Sequence, residues 1–333
     1  MATIKDVARE AGLTVTTVSR VLNNRGYISD DARKRVSEAM KKLNYQPNEM
    51  ARSLQNRKSN IIGVIVPHIK HPYFAEMISR IEGEAYKHGY RILLFNTQEK
   101  IEKGKEYLDI CTSNRVAGII LFSGSISVEL FSELEVPVVT MERKIDSGTA
   151  SVECDNKAGG ELAARKLIDS GCKKLLLIGS NAGSEDLPAD NRVIGFREVC
   201  EKEGIEYHEI SPRLQDYFDM VYQGLVREAL MEYPETDGIF ASSDVIGAQI
   251  IQVCKALGKS IPEDLKLVGF DDTMISRLTM PQLTTIHQPI KEMAELAVKI
   301  IKDASDGKIV PQQTILPVSL IERESTVVAT AVD

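Results

Sequence analysis

The side chains best suited to specific polar contacts near the amino terminus lie on one face of a short predicted helix. Apolar residues from Val15 to Leu22 recur at helical spacing and predict the buried stripe of that helix. Hydroxyl, amide and guanidinium groups reach base edges and phosphates when a helix enters the major groove of DNA. The opposite face carries six such side chains, Thr14, Thr16, Thr17, Ser19, Arg20 and Asn23.

Two further predicted helices position this face. Ile4 to Ala11 has helical apolar spacing, Gly12 interrupts it, and a third helix runs from a cap at Ser29 or Asp30 to Leu43. A helix-turn-helix shape alone does not establish DNA binding, because solvated threonines are common. Charge favours DNA: residues 1–60 carry twelve basic and six acidic groups, whereas the rest carries 29 basic and 42 acidic groups. A head of net charge +6 on a body of −13 is typical of a protein whose head alone meets polyphosphate.

The remainder of the chain alternates between strand and helix. Near-continuous apolar runs predict strands buried on both faces of parallel sheets, at 61–66, 91–95, 117–122, 136–139, 174–178, 238–241 and 265–270. Amphipathic patterns predict helices near 73–88, 101–113, 156–170, 191–203, 217–231, 245–257 and 289–303. The fold class expected is an all-α head followed by two doubly wound α/β lobes, and ligands of such sheets bind beyond the carboxyl ends of the strands.

The body lacks a recognisable catalytic or metal-binding constellation. No G-x-S-x-G, H-E-x-x-H or G-x-x-x-x-G-K motif occurs, so we expect no enzyme activity, no metal and no cofactor. His68 and His71 lie in a predicted strand-to-helix loop and are expected at the surface. The five widely spaced cysteines predict reduced core residues. No apolar run approaches the ~20 residues of a membrane span, and the amino terminus has no signal-peptide core, so a cytoplasmic protein is expected.

Motifs in every section closely resemble the LacI/GalR family of bacterial transcription repressors. They are Thr3 to Asn23, Tyr45-x-Pro47-Asn48-x-x-Ala51-Arg52-Ser53-Leu54, Gly63 to Pro67, Val268 to Asp272, and Leu283 to Pro289. Thr314 to Val318 adds a likeness to the sucrose-type sugar regulators. The resemblance implies a helix-turn-helix head over 1–46, a hinge helix and linker over 47–58, and a periplasmic-binding-protein-like body over 59–333. Lobe one would hold about 60–158 and 289–319, and lobe two about 159–288 and 320–333.

The resemblance assigns DNA contacts beyond the helical face. Thr16 and Thr17 would meet base edges, and Thr3, Ser19, Arg20, Asn23 and Tyr45 would hold the backbone. Leu54, with Ala51 beside it, would wedge into the minor groove from the hinge helix. A helix of two turns is marginal alone, so its formation on DNA would couple folding to binding. Two heads would read a pseudo-palindromic operator, which implies a homodimer acting at the nucleoid.

The resemblance also implies an effector cleft between the lobes. Arg192, Asp244 and Asp271 would hydrogen-bond a sugar or sugar phosphate, since carboxylates accept from hydroxyls and a guanidinium donates in a fixed fork. Tyr73 and Phe74 would stack on its ring, with Glu142, Arg143 and Gln288 as further candidates. Glu142-Arg143 replaces the family's aspartate-arginine pair, and the aromatic residue expected near 216 is displaced to Tyr217 or Phe218.

The function expected is therefore repression of carbohydrate-utilisation genes, with operator affinity changed by the effector. Family precedent favours induction over corepression. Two alternatives stay open on the sequence. One is a global carbon regulator controlled by a phosphorylated carrier protein, with which the segment Leu278 to Leu283 is also compatible. The other is a carbohydrate-processing enzyme fused to a DNA-binding head, which the absence of a base-nucleophile pair disfavours.

Overall fold

The computed structural model describes residues 2–23, 26–45, 59–98, 100–122, 126, 134, 136–142, 149–179 and 188–327. The chain forms two compact units, Met1–Ser59 and Asn60–Asp333. The hinge segment predicted at 47–58, with Ala51 and Leu54, lies outside the described residues, and so does Arg143.

The described part of the first unit contains three helices, α1 (Ile4–Ala11), α2 (Val15–Asn23) and α3 (Asp30–Lys42). Gly12 ends α1 in the left-handed conformation, with φ 62°, which a residue without a Cβ adopts at little cost. The Ser29 hydroxyl accepts the Ala32 amide proton and caps α3, which confirms Ser29 as the cap. The apolar stripes meet in one small core made of Val7, Ala8, Ala11, Val18, Val36 and Ala39.

The described residues of the second unit form two six-stranded sheets. Sheet one has the strand order β11-β5-β4-β3-β1-β2 and is parallel throughout. Its strands are β1 (Ile61–Val66), β2 (Arg91–Asn96), β3 (Gly118–Leu121), β4 (Val138–Met141), β5 (Ala150–Cys154) and β11 (Gln313–Leu316). Sheet two has the order β12-β10-β9-β8-β6-β7 and is parallel except for β12, which runs antiparallel to β10. Its strands are β6 (Lys174–Ile178), β7 (Glu206–Ile210), β8 (Gly238–Ala241), β9 (Lys266–Asp271), β10 (Thr284–His287) and β12 (Ser319–Ile321).

Nine described helices accompany these sheets. They are α4 (Pro72–Lys87), α5 (Ile101–Ser113), α6 (Asn156–Asp169), α7 (Asn191–Glu203), α8 (Leu214–Asp219), α9 (Gln223–Glu232), α10 (Asp244–Ala256), α11 (Met274–Leu278) and α12 (Ile290–Ser305). Helices α4 and α12 pack together beside sheet one, and α6 and α7 pack together beside sheet two. The fold class predicted from the sequence is confirmed.

The chain passes between the two sheets three times. It leaves sheet one after β5, returns after β10, and leaves again between β11 and β12. We call sheet one with its helices lobe one, and sheet two with its helices lobe two. Segments at the carboxyl ends of β1, β4, β8, β9 and β10 meet at the cleft between the lobes, where doubly wound sheets bind ligands.

One predicted helix is wrong as a single element. The segment 217–231 is split between α8 and α9, because Met220 adopts a left-handed conformation with φ 53° and closes α8. The Gln249 side chain secures the break: its amide donates to the Met220 carbonyl at 2.9 Å and its oxygen accepts the Tyr222 amide proton at 2.7 Å.

Five strands of the body have no counterpart in the strands predicted from apolar runs. They are β5, β7, β10, β11 and β12, which are short or alternate polar with apolar residues. Among the described residues, no helix is long and apolar enough to cross a membrane.

Candidate functional site

The predicted DNA-facing side of α2 divides into exposed and locally bonded groups. Thr16 and Arg20 are exposed, and they flank the buried Val18 on the helix. The hydroxyls of Thr14 and Thr17 lie 2.9 Å apart, and the Thr14 hydroxyl accepts the Thr17 amide proton at 3.1 Å. Thr14 therefore caps α2. Thr16 is left as the exposed hydroxyl of the first turn.

Other residues of the head that are predicted to contact DNA also stabilise the fold of the head. Thr3 caps α1 in a reciprocal pair with Asp6, whose carboxylate accepts the Thr3 amide proton at 2.9 Å. Ser19 is half-buried, Tyr45 packs against the head core, and Asn23 is the last residue of α2. The Arg35 guanidinium donates to the Ala11 carbonyl at 2.6 Å, so α3 fixes the end of α1 and the turn that follows it.

Arg192 lies at the centre of the interlobe site. Its Nε donates to Asn156 Oδ1 at 2.7 Å, and its Nη1 donates to the Ser242 carbonyl at 2.8 Å. The guanidinium carbon lies 3.6 Å from the ring centroid of the buried Phe270, a cation–π contact. These contacts use two of the five N–H groups and fix the plane of the guanidinium, which leaves three N–H groups for a ligand.

Asn156 connects Arg192 to Glu142 on lobe one. Its Nδ2 donates to Glu142 Oε2 at 2.5 Å, while the other carboxylate oxygen accepts the Cys154 amide proton at 2.7 Å. Asn156 is the first residue of α6, two residues after β5 ends, and it is 2% exposed. One amide thus joins an acid of one lobe to the guanidinium of the other.

Asp271 and Gln288 form the third part of the site. Gln288 Nε2 donates to Asp271 Oδ1 at 2.7 Å, and both side chains are buried. Asp271 has φ 112° and Glu142 has φ 54°, two backbone conformations that cost L-residues energy. Strain of this kind persists where the surroundings hold a side chain in place for a function. We refer to Tyr73, Glu142, Asn156, Arg192, Asp271 and Gln288 as the cleft cluster.

Asp244 lies behind this cluster and is fully buried. Its carboxylate accepts hydrogen bonds from the Thr273 amide and hydroxyl at 2.7 and 3.0 Å and from the Thr285 hydroxyl at 2.6 Å. These bonds tie the start of α10 to the segment after β9. The geometry gives Asp244 a structural position, in which it holds the segment that follows Asp271, whereas the sequence resemblance implies that it contacts the effector.

Aromatic rings line the lobe-one side of the cleft. Phe74 is half-buried, with its ring 5.8 Å from Phe122 and 5.2 Å from Tyr73. Tyr73 itself is 6% exposed, so its ring face is not available to a ligand. Phe74 is the residue placed to cover an apolar ring face.

His68 contacts lobe two across the cleft. Its ring lies 5.3 Å from Tyr217 and 5.7 Å from Phe218, both on α8. The displaced aromatic pair of the sequence therefore faces the cleft. The surface position predicted for His68 and His71 is wrong: both are partly buried, because the loop after β1 turns inward towards α4 and α8.

Five buried polar atoms have no hydrogen-bond partner among the described residues. They are Tyr73 Oη, Gln288 Oε1, His71 Nδ1, His68 Nε2 and Asn96 Oδ1. Asn96 ends β2 in register with Val66, two residues before His68. Buried polar atoms in native proteins are almost always satisfied, so this concentration at one cleft indicates a polar ligand. No group of three or more potential metal ligands occurs in the part of the chain that the structure describes.

Burial shifts the pKa of the acids in the cleft. It raises the pKa of Glu142, which the Arg192 charge opposes, and it raises that of Asp271 well above its usual range. Burial likewise raises the pKa of Asp190 to about 6 and that of Asp244 to about 7. Each carboxyl pays for lost hydration, and shifts of this kind concentrate at functional sites.

His71 makes the stability of the protein depend on pH in the direction opposite to that of the buried acids. Burial, then the charges of His68 and Arg192, lower its pKa from 6.5 to about 4, so the folded protein keeps the ring neutral. The contribution of the neutral ring to the free energy of unfolding is fully present above pH 6.5. It is lost as the pH falls through 4, because the unfolded chain takes up the proton at a higher pH than the folded protein does. Between about pH 7.5 and about pH 5, we expect the wild type to lose about 2 kcal/mol of unfolding free energy relative to His71→Gln.

Urea unfolding of both proteins at the two pH values measures this difference. The acids are common to both proteins, so their contributions cancel. His208→Gln, at a half-exposed ring stacked on Tyr233, is the matched control and is expected to follow the wild type far more closely. Equal pH responses in His71→Gln and the wild type would mean that the folded protein binds a proton at His71 as readily as the unfolded chain does.

Several residues of the site escaped the sequence interpretation. Only the fold brings three of them, Asn156, Asn96 and Ser242, to the site. No local sequence pattern identifies these residues. His68 and His71 carried a usable signal, since both precede a helix at the carboxyl end of a strand. The position of His68 and His71 after a strand indicates the cleft, whereas the spacing between the two histidines does not.

Known proteins match both the head and the body of the chain. Residues 3–48 match the model of bacterial regulatory proteins of the lacI family, and residues 164–326 match a periplasmic binding protein-like domain. A ribose operon repressor of Halalkalibacterium halodurans is 37% identical over 327 residues, which cover 98% of this chain and 97% of that protein. A sucrose operon repressor of Streptococcus mutans is 34% identical over 325 residues, covering 98% and 99%.

A solved structure extends the likeness to a sugar complex. It is a periplasmic binding protein/LacI transcriptional regulator from Alkaliphilus metalliredigens with D-xylulofuranose, with a TM-score of 0.72 and 32% identity. The match covers 81% of this chain and all of that one. With its helix-turn-helix head and two-lobed body, and with relatives this similar along nearly its whole length, the chain belongs to the LacI family of bacterial regulatory proteins.

Proposed function

We propose that this protein represses a sugar-utilisation operon as a homodimer and releases its operator when a sugar binds between the lobes. The observation that carries the proposal is the set of unsatisfied polar atoms around Arg192, in a body joined to a DNA-reading head. The relatives named above repress ribose and sucrose operons, and the solved neighbour holds a pentulose. A small carbohydrate is the ligand that these facts favour together.

The effector would bind the cleft cluster. Arg192 donates from its remaining N–H groups, Asp271 and Gln288 meet hydroxyls, and Phe74 covers the ring. Asn156, itself bonded to Glu142, holds Arg192 in its plane, and Asp244 holds the segment that follows Asp271. Arg143 is an additional candidate from the sequence. The division into lobe one (about 60–158 and 289–319) and lobe two (about 159–288 and 320–333) is part of the proposal.

Operator binding would use the head and the hinge. Thr16 and Thr17 read bases, while Thr3, Thr14, Ser19, Arg20, Asn23 and Tyr45 position the head on the backbone. Leu54, next to Ala51, enters the minor groove. Closure of the lobes on sugar changes the spacing of the two hinge segments in the dimer and disfavours DNA. The coupling is reciprocal, so operator lowers sugar affinity by the same factor.

Thr16→Ala tests the DNA-reading face. We expect operator affinity to fall about tenfold, because a base-edge contact is lost while phosphate contacts remain. Fluorescence anisotropy with a pseudo-palindromic duplex selected by the full-length protein measures the change, and a random duplex measures non-specific binding, which is expected to stay constant. Ser37→Ala, at an exposed hydroxyl on α3, is the control. Unchanged operator affinity in Thr16→Ala would remove Thr16 from the recognition surface.

A further inference from the structure

One arginine of α3 holds the end of α1 and the turn that leads into α2. Arg35 Nε and Nη2 both donate to the Ala11 carbonyl, at 3.0 and 2.6 Å, and Nη2 also donates to the Gly12 carbonyl at 3.0 Å. Arg35 Nη1 lies 3.6 Å from a carboxylate oxygen of Asp31, one helical turn earlier on α3. The guanidinium therefore bonds carbonyls at the carboxyl end of α1, where a helix carries partial negative charge and favours a cation.

The turn has room for this guanidinium because its residue 12 is glycine. A Cβ added to Gly12 would lie 2.7 Å from Arg35 Nη2. The backbone closes α1 one turn earlier, where the Ala8 carbonyl accepts the Leu13 amide proton at 3.0 Å. Arg35 thus supplies, from another helix, a planar fork of donors that the point charge of a lysine does not reproduce.

Few buried side chains fix the rotation of α2 about its axis. Between Val15 and Leu22, Val18 alone is fully buried, and it belongs to the same small core as Val36 of α3. Groups that recognise another molecule must be held to within about 10–20° of their productive orientation. A restraint at the start of α2 therefore adds to the one that Val18 provides.

Arg35 supplies that restraint through the turn. Gly12, whose carbonyl it bonds, lies two residues before Thr14. The Thr14 hydroxyl accepts the Thr17 amide proton at 3.1 Å and caps α2, and Thr16 is exposed in the first turn of the helix. A shift of the turn consequently changes the direction in which α2 presents Thr16.

We propose that Arg35 is a positioning residue for operator reading, which sets the orientation of α2 without contacting DNA. The proposal rests on the DNA-reading role proposed above for α2. Loss of a positioning residue lowers the discrimination between operator and random DNA. Loss of a phosphate contact, by contrast, lowers affinity for both DNAs.

Arg35→Met in the full-length protein tests this role, with Lys42→Met as the charge-matched control. Lys42 is the last residue of α3 and also bonds α1, through an exposed ion pair with Glu10 at 2.6 Å. Fluorescence anisotropy with the selected operator and with a random duplex, each over a range of salt concentrations, measures both affinities. We expect Arg35→Met to bind operator about tenfold more weakly than Lys42→Met does, because base contacts are misoriented. The random duplex should bind both variants equally, since each loses one positive charge.

Two results would overturn the positioning role. Equal operator affinities in Arg35→Met and Lys42→Met would show that the turn keeps its shape without the guanidinium. An equal loss on operator and random duplex, with a shallower salt dependence than that of Lys42→Met, would identify Arg35 as a phosphate contact.

Arg35→Lys retains the charge and tests the role even where Arg35→Met folds poorly. We expect its operator affinity to fall about threefold or more below that of the wild type, with random-duplex affinity unchanged, because an ammonium cannot replace the fork. Wild-type operator affinity in Arg35→Lys would contradict the role of the guanidinium. Circular dichroism establishes that each variant folds.

A double-mutant cycle with Thr16→Ala separates positioning from a general loss of head stability. A head that only folds less well loses the same active fraction on both duplexes, and the effect of Thr16→Ala stays the same in the Arg35→Met background. A displaced α2 no longer presents Thr16, so we expect the effect of Thr16→Ala to shrink there to about twofold or less.

The cycle also distinguishes this proposal from the proposed contacts of Thr16. Additive losses in the double variant would overturn the positioning role and leave Thr16 as a base contact. A selective loss of operator binding in Arg35→Met, with no effect of Thr16→Ala in the wild type, would support the positioning role and remove Thr16 from the reading face.

Discussion

Arg192→Met is expected to raise the effector dissociation constant at least about 100-fold and to leave operator bound at sugar concentrations that release the wild type. The change removes the donors that a ligand needs and leaves Glu142, Asp190 and Asp271 without their shared cation. Removing one partner of a buried, hydrogen-bonded charge set costs about 2–5 kcal/mol of binding free energy. Methionine retains the packing against Phe270, so the loss is specific to hydrogen bonds and charge.

Isothermal titration and operator anisotropy measure the two consequences separately. Arg197→Met is the matched control, because Arg197 lies on the same helix and forms an exposed two-point pair with Glu209 at 3.0 and 2.9 Å. We expect its effector affinity and operator affinity to equal those of the wild type. An Arg192→Met protein that released operator at the wild-type sugar concentration would place the effector elsewhere.

Gly160→Ala is expected to destabilise the body, because α6 and α7 touch through their backbones at this residue. A Cβ on Gly160 would lie 1.9 Å from the Arg192 carbonyl oxygen, and a Cβ on Gly195 would lie 2.0 Å from the Lys157 carbonyl oxygen. Neither backbone atom can move without separating the helices. Overpacking of this kind costs about 3 kcal/mol of unfolding free energy, which lowers Tm by roughly 6–12 °C in a domain of this size.

Gly83→Ala is a control in which alanine is expected to be tolerated in place of glycine. Gly83 lies within α4, where an added Cβ would meet no atom within 4 Å. Alanine is favoured over glycine inside a helix by about 1 kcal/mol, so this variant should melt at or above the wild-type temperature. Thermal unfolding followed by circular dichroism measures both. Equal melting temperatures for Gly160→Ala and the wild type would show that α6 and α7 can separate freely.

The clash in Gly160→Ala also displaces the first turn of α7, which carries Arg192, so weaker effector binding is expected even where the variant folds.

The sequence predicts the architecture well because the strongest signals are periodic. The uninterrupted apolar runs at 61–66, 174–178 and 238–241 coincide with strands of the structure. The amphipathic segments at 101–113 and 191–203 coincide with helices. Half-buried edge strands such as β7 and β11 lack such runs, because only one face of each is covered. Family membership confirms that the chain is a regulator and not an enzyme, as the missing catalytic motifs predicted.

The site was predictable only where a motif carried it. Asp271 and Gln288 stand in recognisable motifs and Arg192 was implied by the family resemblance. The structure brings all three together with Glu142 and Tyr73. Asn156 has no such signal, since its importance comes from a chain crossing that joins two distant segments. The break at Met220 depends on Gln249, 29 residues away, and a helical pattern in 217–231 cannot contain that information.

We propose that sugar binding in the cleft and operator binding by the head are coupled within one chain. The most direct measurement is the affinity of the full-length protein for its selected operator, by fluorescence anisotropy, with and without saturating ribose or sucrose. We predict that at least one of these sugars weakens operator binding about tenfold or more, the range of ordinary allosteric coupling. Operator affinity that stays constant at saturation with both sugars would contradict this coupling.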